Sequence, residues 1–507
     1  MVNVFSKIFT KAKKHNLEII VFFGGASIMV FELVGSRVLA PFVGTSIFVW
    51  SSLIGVILAA LSAGYWWGGK QADKKPNYND FSRVIFLAAI LIALTGIFKL
   101  PVLNYLQKII KDIRLESVLA ALILFAPASF FLAAISPYAA RLRMEDIKQS
   151  GRTVGNLYAI STVGSILGTF LTGFILFSYV GSTKIILGLA ILMFFCSLLA
   201  YFDKKSFKAF YWIIFLFVFV FYLTGFWDAI NRPLGQIYIT TQYNDVMLTQ
   251  TVDYPSLRPI LALSTDLKGI QSAMYLDKDS GPVATYLESF RMVEHFKPDF
   301  KKTLMLGGAG YSFPKDYLKR YPEATIDVVE IDPKMTEIAR WYFKLEDNPR
   351  LKIIHEDGRT YLNRSKEKYD AIFVDVFKTY LIPFQLTTLE AAQKEYDLLK
   401  ENGVVFINIP SSIEGEKGQF LRSEYATYKK IFPQVYIFPN LYLSSGDKFQ
   451  NLTFVALKSK EVPSFTNDIR ELNKYLGRLW KKEIEMDMPV LTDDFAPVDK
   501  YLVKAFE

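Results

Sequence analysis

Apolar residues follow two different patterns along this chain. Up to about residue 227 they form long, nearly unbroken runs; beyond it they form short segments separated by charged and polar stretches. Seven of the long runs, at roughly 17–36, 46–68, 83–100, 115–139, 154–179, 184–202 and 208–226, are each long enough for a helix to cross the hydrocarbon core of a bilayer. They predict a multi-pass α-helical membrane domain over residues 1–228. Next, "QIYITTQ", "DVMLTQT", "ILALST" and "GIQSAMYLD" alternate and are separated by turn residues, which predicts a small β-subdomain over 229–280. A helix is expected at about 282–296. From there strands and helices alternate: "KTLMLGG", a helix near 314–321, "TIDVVEID", a helix near 333–344, "LKIIHED", a short helix, "YDAIFVDVF", a helix near 388–400, and "GVVFINI". Apolar strands between helices predict an α/β domain over 281–507, with a parallel sheet covered on both faces. "QVYIFPN" and "NLTFVAL" fit an antiparallel edge hairpin.

Composition sharpens this division. The 507 residues are 51% hydrophobic, with mean hydropathy +0.23, and the second regime has ordinary soluble charge density. Lys7, Lys11, Lys13 and Lys14 precede the first run without a small-residue cleavage site, so a signal anchor is expected. The net charge of +9 lies largely in loops beside the spans and does not call for nucleic acid. The basic amino terminus and the basic 69–83, 141–152 and 204–208 loops would face the cytoplasm. Seven spans would then put the second half outside. Lys99, Lys108, Lys111 and Arg114 fall on the nominally outer side, where 99–114 fits an interfacial helix, so the orientation stays open. Cys196 is the only cysteine, which excludes disulfides within the chain. Three scattered histidines do not suggest a metal site. In the first half, Glu32 and Arg37 fit a pair at a helix end. Gly164, Gly168 and Gly173 fit close helix packing.

The chemistry is expected at the carboxyl ends of the parallel strands, where open α/β sheets bind ligands. Gly307, Gly308 and Gly310 form the first turn, where missing side chains let backbone approach a ligand. Glu330 closes the second strand about 20 residues later, the usual place for an acid that takes ribose hydroxyls. Asp357 and Gly358 follow the third strand, placed to accept from an adenine amino group, and Asp375 ends the fourth. Phe313 stands where a dinucleotide fingerprint needs its third glycine, and no basic group nearby asks for a pyrophosphate. A nucleoside without phosphates fits better.

"LMLGGAGY", "VVEIDP", "HEDGRTYL" and "YDAIFVDVF" resemble the spermidine synthase (polyamine aminopropyltransferase) family. Over nearly its full length the chain is similar to a membrane-fused, multi-pass branch, through "FELVGSRVLAPFVGTS" and "LTDDFAPVD". The resemblance implies a methyltransferase-like Rossmann domain with an amino-terminal β-subdomain, located in the cell membrane. It implies decarboxylated S-adenosylmethionine as co-substrate, methylthioadenosine as product, an amine or polyamine acceptor, no metal, and a bilayer as partner. By matching motifs, Glu330 would bind the ribose, Asp357 and Gly358 the adenine side, and Asp375 would be the acid–base residue. Gln236 in "GQIYI" would open the β-subdomain and reach the nucleoside, and Tyr286 would meet the acceptor.

The chain also departs from the family pattern. Gly310 stands where the first turn usually carries an acid, Lys378 where a second acid follows the catalytic one, and Leu287 where Gln or His follows Tyr. Asp493 and Asp494 fit either a solvated loop or replacement charge. Nucleoside binding is thus expected to persist while amine recognition is altered. Two alternatives stand beside aminopropyl transfer: methyl or other alkyl transfer from intact S-adenosylmethionine, and a non-enzymatic polyamine transporter or sensor. The acceptor, the side of the membrane and homo-oligomer formation are left open.

Overall fold

The computed structural model describes residues 2–44, 46–110, 112–144, 150–200, 235–254, 256–265, 269–277, 281–377, 382–441 and 445–506. The chain divides into two compact units, Met1–Leu234 and Gly235–Glu507. The break falls six residues beyond the 228 boundary expected from hydropathy.

The first unit is helical. Helices α1 (Val2–Val43), α2 (Ile47–Lys74), α3 (Tyr78–Ile109), α4 (Ile113–Leu124), α5 (Ala126–Arg143), α6 (Ser150–Leu171) and α7 (Ser182–Ala200) carry it. Among the described residues, five helical segments, one of them α6 with its π-helical continuation to Leu176, are long and apolar enough to cross a membrane; α4 and α5, bent by 51°, count as a sixth if taken as one span. Pro127 lies at the bend and cannot donate the backbone hydrogen bond that would continue the helix. Residues 99–109 extend α3 rather than forming a separate interfacial helix. The 208–226 run lies outside the described residues. A Cβ on Gly164 would come 2.1 Å from the Phe22 carbonyl oxygen, and Gly168 is similarly close to Ala26, so small residues let α6 lie against α1. Gly173 faces open space. The Arg37 guanidinium donates to the Phe177 carbonyl at 3.2 Å.

The second unit contains two sheets. In the smaller, β1 (Gln236–Thr240), β2 (Asp245–Asp253), β3 (Arg258–Ser264) and β4 (Ser272–Tyr275) pair antiparallel in sequence order. The larger has the order β10-β11-β9-β8-β5-β6-β7. Its strands are β5 (Lys302–Leu306), β6 (Thr325–Glu330), β7 (Leu351–His355), β8 (Tyr369–Val374), β9 (Leu399–Ser411), β10 (Gln434–Pro439) and β11 (Gln450–Leu457). Strands β5 to β9 run parallel, and β10 and β11 form the antiparallel edge. Every residue of β8 is buried, as a central strand covered on both faces requires.

Alternate strand residues feed two cores. Leu304, Leu306, Ile372 and Ile407 face one layer; Met305, Phe373, Phe406 and Phe290 face the other. On that second face the Phe290 ring lies 5.3 Å from both Phe313 and Phe373. This aromatic contact fixes the helical turns around 285–292 against the sheet. Helices α8 (Ser312–Arg320), α9 (Pro333–Tyr342), α10 (Gly358–Arg364), α11 (Leu389–Leu398) and α12 (Gln419–Tyr428) complete the layers used below. The chain leaves β5 for β6 on one side, while β8 flanks β5 on the other. This reversal of strand order opens a crevice at the carboxyl ends.

Candidate active site

The first turn is built by backbone approach. Gly307 has φ +92°, and a Cβ there would come 2.3 Å from the Asp375 carbonyl oxygen. Asp375 N in turn donates to Leu306 O at 2.9 Å. The ends of β5 and β8 therefore touch without side chains between them. Glu330, 7% exposed, holds the turn from the end of β6. Its Oε2 accepts from Gly308 N at 2.9 Å and Ala309 N at 3.0 Å, and its Oε1 from Asp332 N at 3.0 Å. A carboxylate offers about four acceptor sites, so capacity remains for a ligand hydroxyl.

Two non-glycine residues in the turn, Ala309 (φ 44°) and Tyr311 (φ 54°), adopt the left-handed conformation, which costs each about 1–2 kcal/mol. Tyr311 is held there by full burial and a 2.8 Å hydrogen bond between its hydroxyl and that of Thr336. Between them, Gly310 N donates to Ser272 Oγ of β4 at 3.0 Å. A Cβ at 310 would lie 2.7 Å from the Ser272 Cβ, so β4 occupies the space an acidic side chain would need.

Asp357 caps α10, its Oδ1 accepting from Thr360 N at 2.9 Å and from the Thr360 hydroxyl at 3.2 Å. It is thus both a helix cap and a wall of the crevice. Asp375 is different: its Oδ1 accepts from Asn408 Nδ2 at 3.0 Å, and the Tyr286 hydroxyl donates to its Oδ2 at 3.1 Å. Burial pushes the Asp375 carboxyl above the usual carboxylate value, and these two hydrogen bonds to the charged form hold back part of the rise. Burial first, and then the adjacent Asp375 charge, keeps the Tyr286 phenol protonated well above its ordinary value.

These groups share one cavity of about 430 Å³, whose walls include Gly307, Gly308, Glu330, Asp357, Gly358, Tyr286 and Asp375. That size lies within the range of small-molecule pockets. No Lys or Arg lines it among the described residues. Gly310 supports the turn from behind through Ser272 and is not part of the wall. Gln236 is not in the wall either. It pairs with Thr249 on the outermost strand of the smaller sheet, and its Oε1 accepts from the Tyr238 hydroxyl at 2.6 Å. The β-subdomain instead reaches the cavity through Tyr243, Asn244, Gln271 and Ser272. Leu287 lines the cavity as well, and Lys378 lies outside the described residues.

Asp493 binds the Arg359 guanidinium at 2.6 Å and accepts from the Thr388 hydroxyl at 2.7 Å, which ties a late loop to α10 and α11. Asn408 escaped sequence reasoning. Its signal was a single amide in the apolar strand "GVVFINI", where a buried polar side chain calls for a partner. Among the described residues no group of three or more His, Cys, Asp or Glu is arranged to hold a metal.

Residues 289–444, within the second unit, match the spermine/spermidine synthase domain. Over 204 residues the chain is 30% identical to a polyamine aminopropyltransferase from Vibrio vulnificus, covering 39% of this chain and 64% of that protein. It is 29% identical over 197 residues to a probable polyamine aminopropyl transferase from Bifidobacterium longum, covering 38% and 41%. The chain thus spans less than two thirds of the length of either relative. A solved probable spermidine synthase from Corynebacterium glutamicum aligns at 18% identity with a TM-score of 0.41, covering 48% of this chain and 87% of that one.

Proposed function

We propose that this protein is a membrane-anchored aminopropyltransferase. It would move an aminopropyl group from decarboxylated S-adenosylmethionine to an amine and release methylthioadenosine. The observation that carries the reading is the shared cavity, in which a glycine turn, Glu330 and Asp357 stand on one side and a hydrogen-bonded, half-buried Asp375 on the other.

The residues fit a nucleoside sulfonium. Carboxylate acceptors suit ribose hydroxyls and an adenine amino group, and a cavity without basic side chains among the described residues suits a ligand that carries positive charge and no phosphate. When bound, the donor supplies an alkyl carbon activated by a positively charged sulfur, so its leaving group needs no proton. The acceptor amine, largely an ammonium in water, must lose a proton before its nitrogen can attack. Asp375 would orient that nitrogen and take the proton as the carbon–nitrogen bond forms and the carbon–sulfur bond breaks, its electrons returning to sulfur. Tyr286 and Asn408 would keep the Asp375 carboxylate aimed and charged. The helices of the first unit would hold the protein in the cell membrane as a multi-pass chain.

Asp375→Asn in the full-length protein tests the assignment. Turnover should fall at least about 100-fold, the scale of acid–base catalysis, while nucleoside binding measured calorimetrically stays within threefold. Full activity in the variant would refute the role.

One observation favours a second reading, methyl or alkyl transfer from intact S-adenosylmethionine. Ser272 closes position 310, so no acid there can favour an amine on the donor.

A further inference from the structure

The cavity is electrically lopsided, and the sheet order sets the asymmetry. Four carboxylates line it: Glu330 after β6, Glu356 and Asp357 after β7, and Asp375 after β8. Since β8 and β6 flank β5, with β7 beyond β6, the first three lie on one side of Asp375. Three strand steps of about 4.8 Å separate the end of β7 from the end of β8 across the sheet. On the other side, toward β9 and β11, the wall consists of Asn408 and Pro410 of β9, Asn451 of β11, Phe377 and Leu287. Pro410 and Asn451 are register partners, so the two strands present one continuous surface. Among the described residues that surface carries no charge.

Asn408 adds a directional feature. Asn408 is 4% exposed, its Nδ2 is committed to Asp375, and its Oδ1 is buried without a hydrogen-bond partner among the described residues. A buried, unpaired amide oxygen is costly and calls for a donor. Here it sits beside the carboxylate that would take the acceptor's proton. An incoming nitrogen could give one N–H to Asp375 and a second to Asn408 Oδ1. Beyond that nitrogen the wall offers amide and apolar contacts. A second ammonium would enter it without a counter-charge, and burying an unpaired charge is strongly unfavourable.

We infer that the acceptor is a primary amine with one ammonium group and an uncharged tail, received at its nitrogen by Asp375 together with Asn408 and along its tail by the neutral β9–β11 surface. The inference rests on the aminopropyl-transfer reading and specifies its substrate class. It makes Asn408 a substrate-binding residue and Asn451 and Leu287 determinants of specificity.

The test uses the full-length protein in detergent with decarboxylated S-adenosylmethionine, following methylthioadenosine and the alkylated amine by mass spectrometry. The acceptors are butylamine, 4-aminobutan-1-ol and 1,4-diaminobutane, which share one carbon chain and differ at the far end. The better of the two uncharged-tail amines should exceed the diamine at least tenfold in kcat/KM. Asn451→Asp, which adds a carboxylate to the tail surface, should shift that ratio toward the diamine by tenfold or more. A smaller wild-type preference, or a preference for the diamine, overturns the inference while leaving aminopropyl transfer intact. Absence of methylthioadenosine with every amine overturns both.

Discussion

Three influences act on the one carboxyl group of Asp375. Burial raises its pKa, and the hydrogen bonds from Asn408 and Tyr286 oppose the rise. In the proposed chemistry the carboxylate takes the proton, so activity should climb as pH rises through the Asp375 pKa. Tyr286→Phe removes a donor that stabilises the charged form. The acid limb of the kcat profile should therefore move to higher pH, with a loss of about 10- to 100-fold in kcat near neutrality, in line with one hydrogen bond to a charged group. A limb that stays in place, or moves to lower pH, would mean that Tyr286 does not act on Asp375.

At this scale the sequence was readable where a candidate side chain stood at a strand end. Glu330, Asp357 and Asp375 close consecutive strands, and the sheet brings strand ends together by construction. Gln236 misled because it stands on a strand too, but on the outer edge of the other sheet, where register pairs it with Thr249. Asn408 was hidden for the opposite reason. It lies inside a strand, and only the approach of β8 to β9 shows that its amide meets Asp375.

Helices α11 and α12 meet through groups the proposed chemistry does not use. Glu395 and Glu424 are both fully buried; the Tyr428 hydroxyl donates to Glu395 Oε2 at 2.8 Å, and both Glu424 oxygens lack hydrogen-bond partners among the described residues. Burial pushes the Glu395 carboxyl up to about 8, and burial with the nearby Glu395 charge raises Glu424 well above its usual range. The folded state therefore holds a proton that the unfolded chain releases near its ordinary value of about 4.3. Stability is fullest below that pH and is lost as pH rises through about 8. Glu395→Gln keeps an acceptor for Tyr428 and removes the titration. Its Tm should decline less between pH 5 and 8 than that of the wild type, with a gain on the order of 1–3 kcal/mol at pH 8. Parallel Tm–pH curves would exclude the pair as the source.

Element existence was largely legible, because periodicity switches where structure does. The run at 115–139 was read as one span, and the bend at Pro127 divides it into α4 and α5. The stretch at 99–114 looked interfacial because of its lysines, yet α3 runs on to Ile109 and buries the Lys99 side chain. Charge alone does not end a helix when neighbouring helices can cover the aliphatic stem.

For the whole molecule, the expectation follows from helices long enough to cross hydrocarbon. The full-length chain should stay in the membrane pellet through an alkaline carbonate wash and be released by detergent. Release by carbonate would argue against spanning helices. The α/β unit carries the proposed chemistry; of the departures from the family pattern, Leu287 lines the cavity and Gly310 backs its first turn through Ser272. The grouping of Glu330, Asp357 and Asp375 around one cavity was legible from residue types at strand ends. That β4 fills the space beside Gly310, and that the β9–β11 side of the cavity is neutral among the described residues, was not legible in the sequence. Both depend on contacts between residues far apart in sequence.

The most direct measurement offers the detergent-purified full-length protein both sulfonium donors together with an amine panel, and identifies the nucleoside released by mass spectrometry. Methylthioadenosine is the expected product, formed from the decarboxylated donor only when an amine is present and lost in Asp375→Asn. Release of S-adenosylhomocysteine from intact S-adenosylmethionine instead would contradict it.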